Sequence, residues 1–506
     1  MSEELLDLVG QRLVIGLAGP HLRAEDVALF RDTRAGGLIL YRRNFDGPEQ
    51  LTSLLGSLED ALGRRLLVTT DNEGGRVIML GRATTVFPDN LAVAAAGEET
   101  LAARQGTIEG RELRRLGVDL NFAPVLDVLT ERYSPNIGIR SYGKDPKLVA
   151  SFGVARIRAM QRAGLSACAK HFPGKGHSPL DAHLRLPTID STWDDMRLVH
   201  LVPFVEAIAA GVDAVMTSHP VYRNLDRSGV PATFSRRLVT DLLRGDLGFR
   251  GVIVSDDLEM GAVSEISTVG EATVRAAAAG HDLLLVCHTE PAQREAATAL
   301  LDAYRAGVLP RRELEAAVER VRRLRARRTT RFTGGPPAAE RDAWTAAAAV
   351  AARAVTVLAP GPPDLKRALN GEVAVVFPRF SDLASRITIE PEIAAEQTYV
   401  TEAFGRAGIV PRIALVGIEP SPEEIDRAAA LAAAGDVTVL FLYDAHLHTS
   451  NRALLDAVQA RARRAAVVLL RDPYDRALLS PGTFGITAYG WRRCQLDAVI
   501  ARLCHA

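Results

Sequence analysis

The sequence predicts an α/β chain in two parts: a (β/α)8 TIM-type barrel over residues 1–335, followed by a smaller three-layer α/β/α sandwich over residues 345–506. Three observations carry this. Short apolar runs of strand type alternate with helix-like segments about eight times in the first 300 residues or so. Polar residues capable of chemistry stand directly after several of those runs. The stretch Thr333-Gly-Gly-Pro-Pro337 reads as a linker, and beyond it the alternation resumes.

The runs of the first part are Arg12–Leu17, Gly37–Tyr41, Leu66–Thr70, Asp119–Pro124, Ser166–Ala169, Ala214–Ser218, Gly251–Ser255 and Asp282–Cys287. Helix-like segments between them include 98–116, 146–163, 194–210 and 270–279. Strands that are apolar throughout, set between helices, belong to a parallel sheet buried on both faces. Eight such units in about 300 residues fit a closed barrel better than an open sheet. The basic segment Arg311–Arg328 reads as a solvated terminal helix. It lacks the aromatic residues on which nucleic-acid bases would stack. The second part offers the runs Val355–Leu358, Val373–Phe377, Ile413–Val416, Val437–Leu442 and Val467–Leu470, with no glycine-rich phosphate loop.

Composition narrows the function. With 47% hydrophobic and 24% charged residues the chain is an ordinary globular one, which excludes extensive disorder. Basic and acidic residues number 61 each, which excludes a global polycation that grips nucleic acid but not a local basic patch. Cys168, Cys287, Cys494 and Cys504 are scattered without a CxxC, which suggests neither a disulfide framework nor a cysteine zinc site. The first residues are acidic before they are apolar, unlike a signal peptide, and no run approaches the roughly 18 apolar residues of a membrane span. The expected address is the cytoplasm.

The chemistry gathers after the strands. Asp71–Arg76 follows the third run, Lys170–His183 the fifth, Ser218-His219 the sixth and Asp256-Asp257 the seventh. Barrel active sites form at the C-terminal ends of the strands, so these clusters point to one pocket. In Lys170-His-Phe-Pro-Gly-Lys-Gly-His177 cations stand in a loop shaped by Gly and Pro and can donate to sugar or phosphate oxygens. In Asp181-Ala-His183 a carboxylate can orient an imidazole suited to proton transfer at neutral pH. The competing readings are a metal site of His171, His177, Asp181 and His183, disfavoured because HExxH is missing, and a plain surface loop. Asp256 and Asp257 put two acids at the end of an apolar strand, where a carboxylate can attack an anomeric carbon or stabilise an oxocarbenium ion, while Asp257 is expected to cap the next helix. The turn Asp71-Asn-Glu-Gly-Gly-Arg76 can bind sugar hydroxyls, with Glu73 and Arg76 as a candidate internal ion pair. His446-Leu-His448 has the spacing of a metal pair but reads as an ordinary strand-end loop.

These motifs together resemble glycoside hydrolase family 3, in its β-N-acetylglucosaminidase branch. The resemblance covers most of residues 10–330. It runs through Gly36-Gly-Leu-Ile-Leu40, Asp71-x-Glu-Gly-Gly-Arg-Val77, Asn121-Phe-Ala-Pro-Val-Leu-Asp-Val128, Arg140-Ser-Tyr142, Lys170-His-Phe-Pro-Gly174, Asp181-x-His183 and Gly248-Phe-x-Gly-Val-Ile-x-Ser-Asp-Asp257. Arg471-Asp-Pro-Tyr-Asp475 and Ala488-Tyr-Gly490 resemble the second domain of two-domain members. The resemblance implies that Asp256 is the nucleophile and His183 the general acid then base, with Asp181 beside it. It implies that Asp71, Arg140, Lys170 and His171 hold the sugar. One departure stands out: Met79 occupies a position where single-domain bacterial relatives carry a sugar-contacting arginine, and Arg82 nearby is not assumed to replace it.

The expected function is an exo-acting, retaining β-N-acetylglucosaminidase of cell-wall muropeptides, needing no cofactor and no metal. Its partner is carbohydrate, not nucleic acid or membrane, and a monomer is favoured. The rivals are a β-N-acetylglucosaminide phosphorylase, substrate-assisted hydrolysis through the acetamido oxygen, and a catalytically inactive sugar-binding protein.

Overall fold

A computed structural model describes residues 2–81, 83–131, 134–178, 186–327 and 341–505. The first part forms strands β1 (Leu13–Gly16), β2 (Gly37–Leu40), β3 (Leu67–Thr70), β4 (Leu120–Asn121), β5 (Ser166–Phe172), β6 (Ala214–Thr217), β7 (Val252–Val254) and β8 (Leu284–Val286). They make one parallel sheet in the order β7-β6-β5-β4-β3-β2-β1-β8. A bridge between Val254 and Leu283 joins its two ends and rounds the sheet into a barrel.

The alternation of side chains explains why these runs are apolar throughout. Val14, Ile39, Leu67, Val252, Val254 and Leu285 fill the barrel interior together. Their neighbours Leu13, Ile15, Leu38, Leu40, Ile253 and Leu284 point the other way, into the layer between sheet and helices. Helices Glu99–Arg115, Pro146–Arg162 and Val269–Ala279 stand where the pattern places them. The segment expected at 194–210 is interrupted: a π-helical turn, Met196–His200, precedes the helix Val202–Ala209. Pro203, which has no N–H to donate to the preceding turn, sits at the start of that second helix. The basic helix, Arg311–Ala326, is more than a solvated one. It buries Leu314, Val318, Val321 and Leu324, while Arg320 pairs with Asp282 at 2.9 Å beneath the barrel.

The second part holds β9 (Thr356–Ala359), β10 (Val373–Pro378), β11 (Arg412–Val416), β12 (Val437–Leu442), β13 (Ala465–Leu469) and β14 (Phe484–Thr487). Their order is β11-β10-β12-β13-β14-β9, parallel except for β9, which runs antiparallel along β14. Val375, Phe377, Val439, Phe441 and Val468 pack on one face, and Val376, Leu440, Leu442 and Val467 on the other. The sheet is thus buried on both sides as the middle layer of three. β14 went unread in the sequence because Phe484-Gly-Ile-Thr487 is short and broken by a glycine.

This second unit rests on the loops at the C-terminal end of the barrel strands. Ile139, from the segment after β4, joins the apolar core of the second sheet, and Leu129 and Ile137 meet Tyr474. Thr388 donates its hydroxyl to the carbonyl of Ile78 at 2.8 Å. Gly138 adopts φ +44° with Asp472 close by. A Cβ there would lie 2.5 Å from a carboxylate oxygen, so both conformation and space call for glycine. Among the described residues no helix is long and apolar enough to cross a membrane.

Candidate active site

Strand β5 extends past the sequence expectation and carries Lys170 and His171 on the strand itself, with a register irregularity against β6 at that point. Lys170 reaches across to the end of β3. Its Nζ lies 2.5 Å from Asp71 Oδ1 and 2.6 Å from Glu73 Oε1. Arg140 grips the same Glu73 with two parallel bonds, Nε to Oε2 and Nη2 to Oε1, each 2.7 Å, and donates Nη1 to the carbonyl and side-chain oxygens of Asn136, both at 2.8 Å. The expected pair of Glu73 with Arg76 does not form. Arg76 donates to the backbone carbonyls of Pro135 and Asn136 instead.

Hydrogen counting shows what remains for a ligand. Four of the five N–H hydrogens of Arg140 and two of the three on Lys170 are occupied among the described residues, leaving one on each. Glu73 is buried, with 3% of its side chain exposed, whereas Asp71 keeps 19%. Burial drives the Glu73 pKa up, but the charges of Arg140 and Lys170 win and hold it well below the usual carboxylate range. Burial likewise works against charge on Lys170, and Asp71 and Glu73 overcome it, so its ammonium is secured. For Asp71 burial prevails over Lys170 and its pKa is raised. Glu73 is therefore the fixed anion that positions two cations, and Asp71 is the acceptor that faces outward.

His171 is oriented by Asp127, whose Oδ2 lies 2.7 Å from Nδ1. That bond leaves the Nε2 end of the ring as the one directed away from Asp127. The other carboxylate oxygen of Asp127 accepts the backbone N–H of Lys175 at 2.6 Å. Burial lifts the Asp127 pKa to about 6 against the opposing charge of Lys175.

Asp256 follows β7. Its Oδ1 accepts the backbone N–H of Asp257 at 3.0 Å, its Oδ2 lies 3.8 Å from Lys175 Nζ, and 16% of its side chain is exposed. Asp257 does not cap a helix as expected. Its carboxylate takes the N–H groups of Glu259 and Cys287, and its Oδ2 lies 3.0 Å from His288 Nε2, tying the end of β7 to the end of β8. Asp71, Lys170, His171, Arg140 and Asp256 thus meet at one mouth. Asp181 and His183 lie outside the described residues. Ser218 and His219 sit behind the site: His219 meets the Asp257 carbonyl oxygen and the Thr233 hydroxyl, each at 2.9 Å. Met79 donates its backbone N–H to Asn72 Oδ1, and its side chain packs against the core of the barrel.

Sequence reasoning assigned no role to Glu73 as a hub or to Asp127 as the orienter of His171. Asp127 had a signal, being an acid placed just after the fourth apolar run. In the second unit His446 parts from His448. Its Nδ1 lies 2.9 Å from Asp475 Oδ1, and it approaches Asp444 and Asp472, the one potential metal-ligating trio among the described residues. Arg471 pairs with Asp444 and also lies near Asp472, so these carboxylates already have a counter-charge.

Carboxylates facing outward beside clamped cations, at the mouth of a parallel barrel, suit a hydroxyl-rich ligand, and a family match makes the protein a glycoside hydrolase. Residues 4–324 match the model of the glycosyl hydrolase family 3 N-terminal domain, and the chain belongs to that family. It is 38% identical over 284 residues to a β-hexosaminidase of Xylella fastidiosa strain 9a5c, covering 55% of this chain and 84% of that one. Among solved structures, a family 3 β-N-acetylglucosaminidase from Paenibacillus sp. strain FPU-7 is 32% identical. It superposes with a TM-score of 0.92 over 99% of this chain and 96% of its own. A β-N-acetylhexosaminidase from Beutenbergia cavernae, also 32% identical, covers 64% of this chain and 98% of its own, with a TM-score of 0.58.

Proposed function

We infer that this glycoside hydrolase is an exo-acting, retaining β-N-acetylglucosaminidase. The observation that carries the reading is the likeness to the Paenibacillus enzyme along nearly the whole chain, through both sheets. Asp256 attacks the anomeric carbon while His183, oriented by Asp181, protonates the departing oxygen. Water then attacks C1, gives its proton to His183, and the C1–Asp256 bond breaks. Asp71 accepts from sugar hydroxyls, and the remaining N–H groups of Lys170 and Arg140, together with His171, donate to them.

Muropeptides from cell-wall turnover are the substrates this reading favours. It takes residues 1–335 as the catalytic unit and 345–506 as a unit that packs on the pocket loops, with Ile139 and Gly138 as points of contact. A panel of aryl glycosides, assayed with and without phosphate, tests the proposal. Release of β-configured N-acetylglucosamine from the GlcNAc glycoside alone is expected. A phosphate-dependent sugar phosphate would replace hydrolysis by phosphorolysis.

A further inference from the structure

Lys175 reaches its position through unusual restraint. Its backbone N–H is bound by Asp127 at 2.6 Å. The next residue, Gly176, lies so close to the segment after β4 that a Cβ would stand 2.0 Å from the Val128 carbonyl oxygen. Gly174, one residue before Lys175, has φ +113°. The backbone is thus pinned on both sides, and the buried side chain, 4% exposed, brings Nζ to 3.8 Å from Asp256 Oδ2. Asp127, Arg140 and Lys170 are the other charged groups acting on this ammonium.

We propose that Lys175 is a positioning cation for the second half of the reaction, an inference that rests on Asp256 being the nucleophile. In the resting enzyme Asp256 bears a negative charge, which Lys175 stabilises. Ester formation to C1 removes that charge. When the C1–Oδ bond breaks, its electron pair returns to Asp256 as water adds to C1 and loses its proton to the general base. Charge therefore reappears on Asp256 in the second transition state, and a cation at this distance lowers that barrier relative to the neutral ester. The first step runs the other way and gains nothing from Lys175.

With an activated aryl GlcNAc substrate, Lys175→Met should lower kcat about tenfold, corresponding to about 1.4 kcal/mol. KM should fall in step, so that kcat/KM stays within about threefold. The glycosyl-enzyme should accumulate, seen as a burst of aryl alcohol and by intact mass, and Lys175→Arg should recover kcat. Equal losses in kcat and kcat/KM without accumulation would overturn the inference. Wild-type labelling by 5-fluoro-N-acetylglucosaminyl fluoride checks the nucleophile separately, and label on a residue other than Asp256 removes that reading before any variant is made. Should Lys175→Met fail to fold, the structure of the trapped wild-type intermediate decides. Nζ within about 4 Å of the Asp256 ester is expected, and Nζ withdrawn beyond about 6 Å overturns the role.

Discussion

Arg492 donates Nε to the backbone carbonyl of Gly75 at 2.7 Å, across 417 positions of sequence, and donates Nη1 to the carbonyl of Thr388 at the same distance. The turn that presents Asp71 and Glu73 is thereby held from outside the barrel by a residue with 1% exposure. Arg492→Ala removes donors from two carbonyl oxygens and should destabilise the protein by about 2 kcal/mol. KM for a GlcNAc glycoside should rise several-fold as the turn loosens. A lowered melting temperature with unchanged KM would confine Arg492 to stability.

Asp256→Ala should lose turnover by roughly four orders of magnitude while remaining folded by circular dichroism. Peptide mapping after inactivation with the fluorosugar should place the label on Asp256. Label on Asp257 or Glu73 would sink the assignment, and Asp257 is a poor candidate because its carboxylate is engaged by two backbone N–H groups and His288.

His183→Ala should slow glycosides with poor leaving groups far more than activated aryl ones, because a good leaving group needs little protonation. Azide should then release the glycosyl-enzyme as a β-glycosyl azide. Asp181→Asn should act in the same direction more mildly. Uniform loss across leaving groups without azide product would exclude His183 from the mechanism.

Glu73 sets a pH dependence of stability. Burial opposes its charge, but Arg140 and Lys170 hold its folded-state pKa below the ordinary value of 4.5. A depressed acid stabilises the fold above its unfolded pKa and loses that contribution as pH falls below 4.5. Asp127, raised to about 6 by burial, has the opposite sign: it favours the fold when protonated and loses that contribution as pH rises from 3.8 towards 6. Glu73→Gln leaves two buried cations short of their anion and should cost about 3 kcal/mol at neutral pH. Melting temperatures measured from pH 7 down to pH 3 should show the gap between the wild type and Glu73→Gln narrowing below 4.5. A gap constant with pH would show that Glu73 acts through packing rather than charge.

A chain truncated after residue 335 would expose Ile139, Phe87 and Ile137, which the full chain buries against the second unit. It should be less stable and less active than the full chain. Full activity on every substrate would remove the second unit from the pocket wall.

The barrel was legible because its strands are buried on both faces, which writes them as uninterrupted apolar runs. Val252-Ile-Val254 is a clear case: Ile253 packs towards the helices and its two neighbours pack inside. The gathering of Asp71, Lys170 and Asp256 was legible from their places after apolar runs, and that of Arg140 only from the family resemblance. Partner choice was not. Glu73 has Arg76 three residues away and yet takes Arg140 and Lys170, because the turn directs Arg76 towards the carbonyls at 135 and 136 while β5 brings Lys170 alongside. Proximity in sequence is a weak guide once a barrel places neighbouring strand ends side by side. The same holds for Lys175, whose surplus of charge suggested an anion-binding loop but whose ammonium faces Asp256.

The antiparallel strand β9 has a consequence for synthesis on the ribosome. It is made at residues 356–359 but finds its partner only when β14, at 484–487, has emerged. The barrel, by contrast, can close once β8 at 284–286 is out and meets β1. Translation can therefore close a barrel whose rim is covered in stages: Phe87 by Ala346 and Ala347, about 60 residues after β8, and Ile139 only as the second sheet is completed, about 200 residues after β8. Nascent chains arrested near residue 340 should resist proteolysis within the barrel while exposing that rim to a holding chaperone. Order of birth thus separates the making of the pocket from the making of its support.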